Sequence, residues 1–103
     1  MPDFADPFSG NVPERKMTFS ELIRAIRLNL AAEMEAINLY QAHADATDNE
    51  LAKAVLLDIA DEEREHAGEF QRLLTILLDD EEALLADGAE EVDELARDLG
   101  HDI

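Results

Sequence analysis

The sequence predicts an all-α protein. Its expected form is an antiparallel hairpin of two long helices with a short third helix, completed to a four-helix bundle by a second copy. Three observations lead there. Apolar residues recur at steps of three and four through two long stretches, the period of one helical face. Each stretch opens on the spacing of a capping box, Thr18 with Glu21 and Thr47 with Glu50. Two amphipathic helices cannot enclose both of their own apolar stripes, so a second pair is needed, and twofold self-association is the commonest way to supply it.

The elements follow in order. In residues 1–17, Pro2, Pro7, Gly10 and Pro13 break any regular structure. A flexible arm is expected there, with Phe4 and Phe8 available for docking on a neighbouring subunit. Helix 1 is placed at residues 18–46, with apolar positions at 19, 22, 23, 26, 30, 34, 37 and 40 and neither Gly nor Pro within it. At 1.5 Å per residue it would run roughly 43 Å. Helix 2 is placed at 48–78, with a stripe of Leu51, Val55, Ile59, Glu63, His66, Phe70, Leu74 and Leu77. Residues 79–98 hold ten acidic side chains and one Arg, mostly a solvated face. Gly88 is expected to interrupt the weak helical pattern there or to mark a bend, with a short helix over 89–99, Gly100 as its cap and 100–103 as a tail. Residues 18–99 thus read as one helical domain.

Composition excludes several classes. Of 103 residues, 8 are Lys or Arg and 26 are Asp or Glu, a formal net charge of -18. That charge repels nucleic-acid backbones and anionic membranes, so neither is an expected partner. No apolar run approaches the ~18 residues of a membrane span, and no signal-peptide pattern opens the chain. With no cysteine there is no disulfide, thiolate site or cysteine nucleophile. A hydrophobic content of 47% is too high for a disordered acidic tail. The expected location is cytoplasmic.

The chemistry concentrates on helix 2. Glu63 and His66 form a Glu-x-x-His pair, whose spacing puts carboxylate and imidazole on one face. Both lie on the expected inward stripe, as does Glu33 between Leu30 and Ile37 of helix 1. Buried carboxylates are costly unless paired or metal-bound. Di-iron bundles take one Glu from each of two helices and Glu-x-x-His from each of the other two. This chain holds half that set, and two copies on a twofold axis would supply four carboxylates and two imidazoles. The burial pattern and the ligand count therefore ask for the same dimer. Oxygen-rich ligands with one imidazole per metal suit iron or manganese, and zinc or another divalent cation can substitute. The competing structural reading is a polar core network of Glu33, Glu63, His66 and Tyr40. Glu35 and Glu62, beside the ligand positions, are candidates for cation access with Glu65 and Glu69. Tyr40 returns to the Glu33 face seven residues on and is a candidate neighbour of the ligands.

Glu33-Met34-Glu35-Ala36-Ile37-Asn38-Leu39-Tyr40, Asp45-Ala46-Thr47-Asp48-Asn49-Glu50-Leu51 and Asp61 through His66-Ala67 together resemble the encapsulated ferritins, short two-long-helix members of the ferritin-like superfamily. The resemblance covers roughly residues 18–98. It implies a ferroxidase with a di-iron centre, two irons per dimer, between two subunits. Glu33, Glu63 and His66 match the iron ligands, Tyr40 the nearby tyrosine and Glu35 an acidic residue of metal access. It further implies a ring-shaped decamer, a pentamer of dimers, carried as cargo inside an encapsulin nanocompartment whose shell holds the mineral. Ala32 and Leu39 stand where members often have Glu and Trp, and a shell-targeting peptide is not evident at Gly100-His101-Asp102-Ile103. Two rival functions remain: peroxide reduction at the same centre, as in rubrerythrin-like proteins, and a non-enzymatic acidic helical adaptor.

Overall fold

A computed structural model describes residues 15–103; positions 1–14 of the expected arm lie outside the described residues. The described residues form three helices and no strand: α1 Phe19–Asp45, α2 Glu50–Leu77 and α3 Glu81–Asp98. The chain divides into two compact units, one through Arg72 and one from Leu73 to Ile103.

Thr18 starts α1 as its sequence context predicts. Its hydroxyl accepts from the Glu21 amide at 3.1 Å, and the Glu21 carboxylate accepts from the Thr18 amide at 2.9 Å. The same carboxylate takes a two-pronged hydrogen bond from Arg15, at 2.7 and 2.9 Å. The Arg15 hydrogen bond first, and then the Thr18 amide, hold the Glu21 carboxyl down to about 2, against an ordinary value of 4.5. A lowered carboxyl contributes stability that is complete above the unfolded value and lost as pH falls toward the folded one. The stability difference between wild type and Glu21→Gln, read by thermal unfolding, should therefore be constant above about pH 5 and vanish toward pH 2. An unchanged difference across that range would show that the ionised carboxylate adds nothing to the cap.

The turn into α2 differs from expectation. Asn49, not Thr47, caps the helix: its side-chain oxygen accepts from the Ala52 amide at 2.9 Å. The Thr47 hydroxyl instead accepts from the Asn49 amide at 3.2 Å, closing the turn. The helix thus begins at Glu50, two residues after the expected position. A side-chain oxygen two or three residues before an orphan amide satisfies it, and Asn ranks with the best caps.

With a four-residue turn, α2 runs back along α1. The seam of the hairpin alternates steps of four and three: Ile26, Leu30, Glu33, Ile37, Tyr40 and Ala44 on α1, and Leu56, Ala60, Glu63, Ala67 and Phe70 on α2. Ile26, Ile37, Ala44, Ala60 and Ala67 are buried, and the others on the seam are half-buried. This is the heptad spacing of side chains that interlock between neighbouring helices. The stripe expected on α2 is therefore two faces merged. Only part of it lies on the seam; Leu51 and Val55 are 75% and 48% exposed. Those two, with Ile59 and His66, follow a second line along the flank of α2, which the single chain leaves open.

In the second unit, α3 begins at Glu81 rather than at residue 89, and Gly88 lies within it. Gly88 has no positive φ, and a glycine of helical geometry costs only about 1 kcal/mol relative to Ala. Ala83, Leu84, Leu85, Ala86, Ala89 and the Glu residues around it are strong helix formers, so the helix continues. Gly100 ends it as expected, with φ 92°. Its amide donates to Arg97 O at 3.0 Å and the His101 amide to Ala96 O at 2.9 Å, the paired bonds of a Schellman cap. No residue of α3 is buried. No helix among the described residues is long and apolar enough to cross a membrane.

Candidate metal centre

The register of the hairpin assembles the site. Glu33 lies twelve residues before the end of α1, and Glu63 thirteen after the start of α2. Folding the two helices antiparallel across a short turn brings them level. His66, one turn beyond Glu63, comes with it. His66 Nδ1 lies 3.7 Å from Glu33 Oε2 and 3.6 Å from Glu63 Oε2. One ligand atom from each of the three residues falls within 4.8 Å of the other two, the sole such group of three among the described residues.

Glu33 and Glu63 expose only 21% and 18% of their side chains, whereas His66 exposes 47%. The imidazole expected to point inward therefore stands at the rim, on the open flank of α2. Glu33 Oε2 is buried and makes no hydrogen bond. An unsatisfied carboxylate oxygen in that position costs stability, and a second carboxylate beside it adds like-charge repulsion. A cation relieves both.

The donor set fits one. Two oxygens and one nitrogen are hard-to-intermediate ligands, suited to iron, manganese or zinc. Donors that share an ion at ~2.0–2.2 Å stand at most ~4 Å apart, so this cluster is close to a coordinating arrangement without one. Three donors leave the coordination shell of most such metals incomplete.

The other acidic candidates stay apart from the cluster. Glu35 and Glu62 are exposed and outside it. Asp61, from the same acidic run as Glu63, pairs with Arg64 at 2.6 Å on the outer surface. Tyr40 is half-buried on the seam, two turns along α1 from Glu33. Among the described residues the structure adds no ligand to those found from sequence.

The comparisons with known proteins agree with this architecture. The Rubrerythrin family model matches residues 24–98. The crystal structure of an encapsulated ferritin domain from Pyrococcus furiosus superposes with a TM-score of 0.78 at 41% identity, over 81% of this chain and 85% of that one. The encapsulin nanocompartment cargo protein EncC of Myxococcus xanthus is 58% identical over 86 residues, 84% of this chain and 65% of the relative. A ferritin-like-encapsulin shell fusion protein of P. furiosus is 42% identical over 82 residues, 80% of this chain. The chain spans 65% of the length of the first of these relatives and 24% of the second.

The helical hairpin thus has a ferritin-like fold with a carboxylate and imidazole cluster across its seam. Within that class the chain belongs to the rubrerythrin family, among its encapsulated ferritins.

Proposed function

We propose that two copies of this chain form a ferroxidase, oxidising Fe(II) to Fe(III) with O2 at a di-iron centre between subunits. The observation that carries the reading is Glu33 Oε2, buried without a hydrogen bond and within the cluster it forms with Glu63 and His66. Fe(II) is the substrate. Each ion gives up one electron to O2 and leaves with a higher charge.

The residues divide that task. Glu33 and Glu63 supply negative charge from the half-buried seam, which favours the more highly charged product ion. His66 approaches both carboxylates from the rim and adds a neutral nitrogen ligand. A twofold axis past the open flank of α2 would cover the exposed Leu51 and Val55 and bring a second Glu-Glu-His set to the first. Glu35 and Glu62, both exposed, attract cations from solvent, and Tyr40 lies along the seam from the ligands. Names of the relatives support a setting inside an encapsulin shell, with the shell as partner, and we place that setting in the cytoplasm. Larger rings, a decamer among them, would repeat this dimer.

Anaerobic Fe(II) is added to the protein and O2 is admitted while Fe(III) formation is followed. The expected rate exceeds that in buffer. A rate equal to buffer contradicts the ferroxidase reading and favours the acidic adaptor. The rubrerythrin match supports one rival, and the same mixture supplied with peroxide instead of O2 separates them: a rate enhancement with peroxide alone would favour peroxide reduction.

A further inference from the structure

The His66 ring has two nitrogens, and the cluster uses one of them. Nδ1 faces the carboxylates, 3.7 Å from Glu33 Oε2 and 3.6 Å from Glu63 Oε2. Nε2 is the nitrogen left over, on a side chain that is 47% exposed. An imidazole binds a metal through a nitrogen that carries no proton, so a ligand Nδ1 must keep the ring's proton on Nε2. The cluster by itself favours the other order. Two carboxylates beside Nδ1 attract a proton there, and a proton there shuts out the ion. An acceptor for Nε2–H reverses that preference and fixes the direction of the ring.

The acidic run around His66 offers the acceptors. Asp61 pairs with Arg64 at 2.6 Å. Glu63 already belongs to the cluster. Glu65 is the adjacent residue, and adjacent residues of a helix do not face each other. Glu62 and Glu69 remain, four residues before His66 and three after it, both exposed. Helical side chains lean toward the N-terminus, so the His66 ring lies over the turn that holds Glu62. An acid four residues ahead of a basic side chain is also the favoured order of such pairs. Glu62 continues the flank line of Val55, Ile59 and His66, the face that the proposed dimer covers. Excluding water from that face would strengthen a hydrogen bond made there.

We infer that Glu62 is the positioning residue of His66: its carboxylate accepts a hydrogen bond from Nε2–H and leaves Nδ1 open to the ion. The inference rests on the metal-site reading above and not on oxidation by O2. It gives Glu62 a task distinct from attracting cations by its charge.

Three variants separate the two tasks. Glu62→Ala removes acceptor and charge together. Glu62→Gln keeps an acceptor oxygen without the charge. Glu69→Ala removes an equal charge from the other side of His66. Affinity for Zn(II), which undergoes no redox change, is measured by calorimetry. Glu62→Ala should weaken it by about tenfold or more, the range for a group that orients a metal-bound histidine. Glu62→Gln should recover most of that loss, and Glu69→Ala should stay within about twofold of wild type. Nitrogen-15 NMR of histidine-labelled, Zn(II)-loaded protein adds a readout that charge alone would not move. Wild type and Glu62→Gln should show a hydrogen-bonded Nε2–H signal for His66, and Glu62→Ala should lack it. Equal losses in Glu62→Gln and Glu62→Ala would overturn the inference and leave Glu62 acting by charge. So would wild-type affinity in Glu62→Ala, or a larger loss in Glu69→Ala, which would move the acceptor to Glu69. Wild-type protein that binds no Zn(II) would overturn the metal-site reading, and the inference with it.

Discussion

Replacing His66 by Ala should abolish the acceleration of Fe(II) oxidation, and Glu63→Gln should do nearly the same. Each ligand meets the others across a gap of less than 5 Å, and no fourth protein donor among the described residues stands ready to substitute. Loss of a group that merely orients a ligand lowers metal affinity or activity ~10- to 100-fold, so loss of a ligand itself should exceed that range. The effect should appear in dimers and not only in larger assemblies. Asp61→Asn, by contrast, alters the same acidic run but breaks only the outer pair with Arg64, and the oxidation rate should stay within about twofold of wild type. Equal loss in all three variants would mean that general negative charge, rather than the cluster, accounts for any activity.

The second large effect concerns stability. The apo-protein holds Glu33 and Glu63 close together with one oxygen lacking a hydrogen bond. A cation that binds the folded pair and not the unfolded chain stabilises it by about 2.7 kcal/mol at one hundred times its dissociation constant. For a domain of this size that is a rise in Tm on the order of 10 °C. Thermal unfolding in chelator and in anaerobic Fe(II) should show that rise, and the dimer should dissociate less readily with metal. Glu33→Gln should act in the opposite sense. It removes the repulsion, so the metal-free variant should melt above metal-free wild type, and added Fe(II) should shift it little. Coincident melting curves for apo and Fe(II)-loaded wild type would contradict metal binding at the cluster and favour a purely structural polar core.

What could be read from sequence was mostly local. Thr18 and Glu21 are three residues apart and satisfy each other, so the start of α1 needs no tertiary information. Thr47 and Glu50 have the same spacing, but Asn49 lies nearer the first orphan amides and its side chain reaches one. Spacing alone does not choose between such neighbours. The start of α3 lies upstream of Gly88 because the alanines, leucines and glutamates around that glycine have a summed helix preference that carries the helix through it. The α2 stripe merged two lines because Glu63 and Phe70 belong to the seam, whereas Val55 and His66 lie to one side of it. A helix with apolar residues on two adjacent faces has one broad stripe in sequence. Which part is buried depends on the neighbour.

The site follows the same division. Glu63 and His66 meet because they are one turn apart, which sequence states directly. Glu33 joins them only because the turn at 46–49 sets the register of the hairpin. The exposure of His66 had no local signal, since it depends on where the seam runs. That exposure suits the proposed shared site: a ligand left at the rim of one chain would be within reach of a second copy.

The proposed shared site is tested most directly by native mass spectrometry of metal-free protein titrated with anaerobic Fe(II). The account predicts even-numbered assemblies that take up two irons for every two chains, with uptake lost in His66→Ala. Iron bound one chain at a time in monomers, or in no fixed ratio and unaffected by His66→Ala, would contradict it.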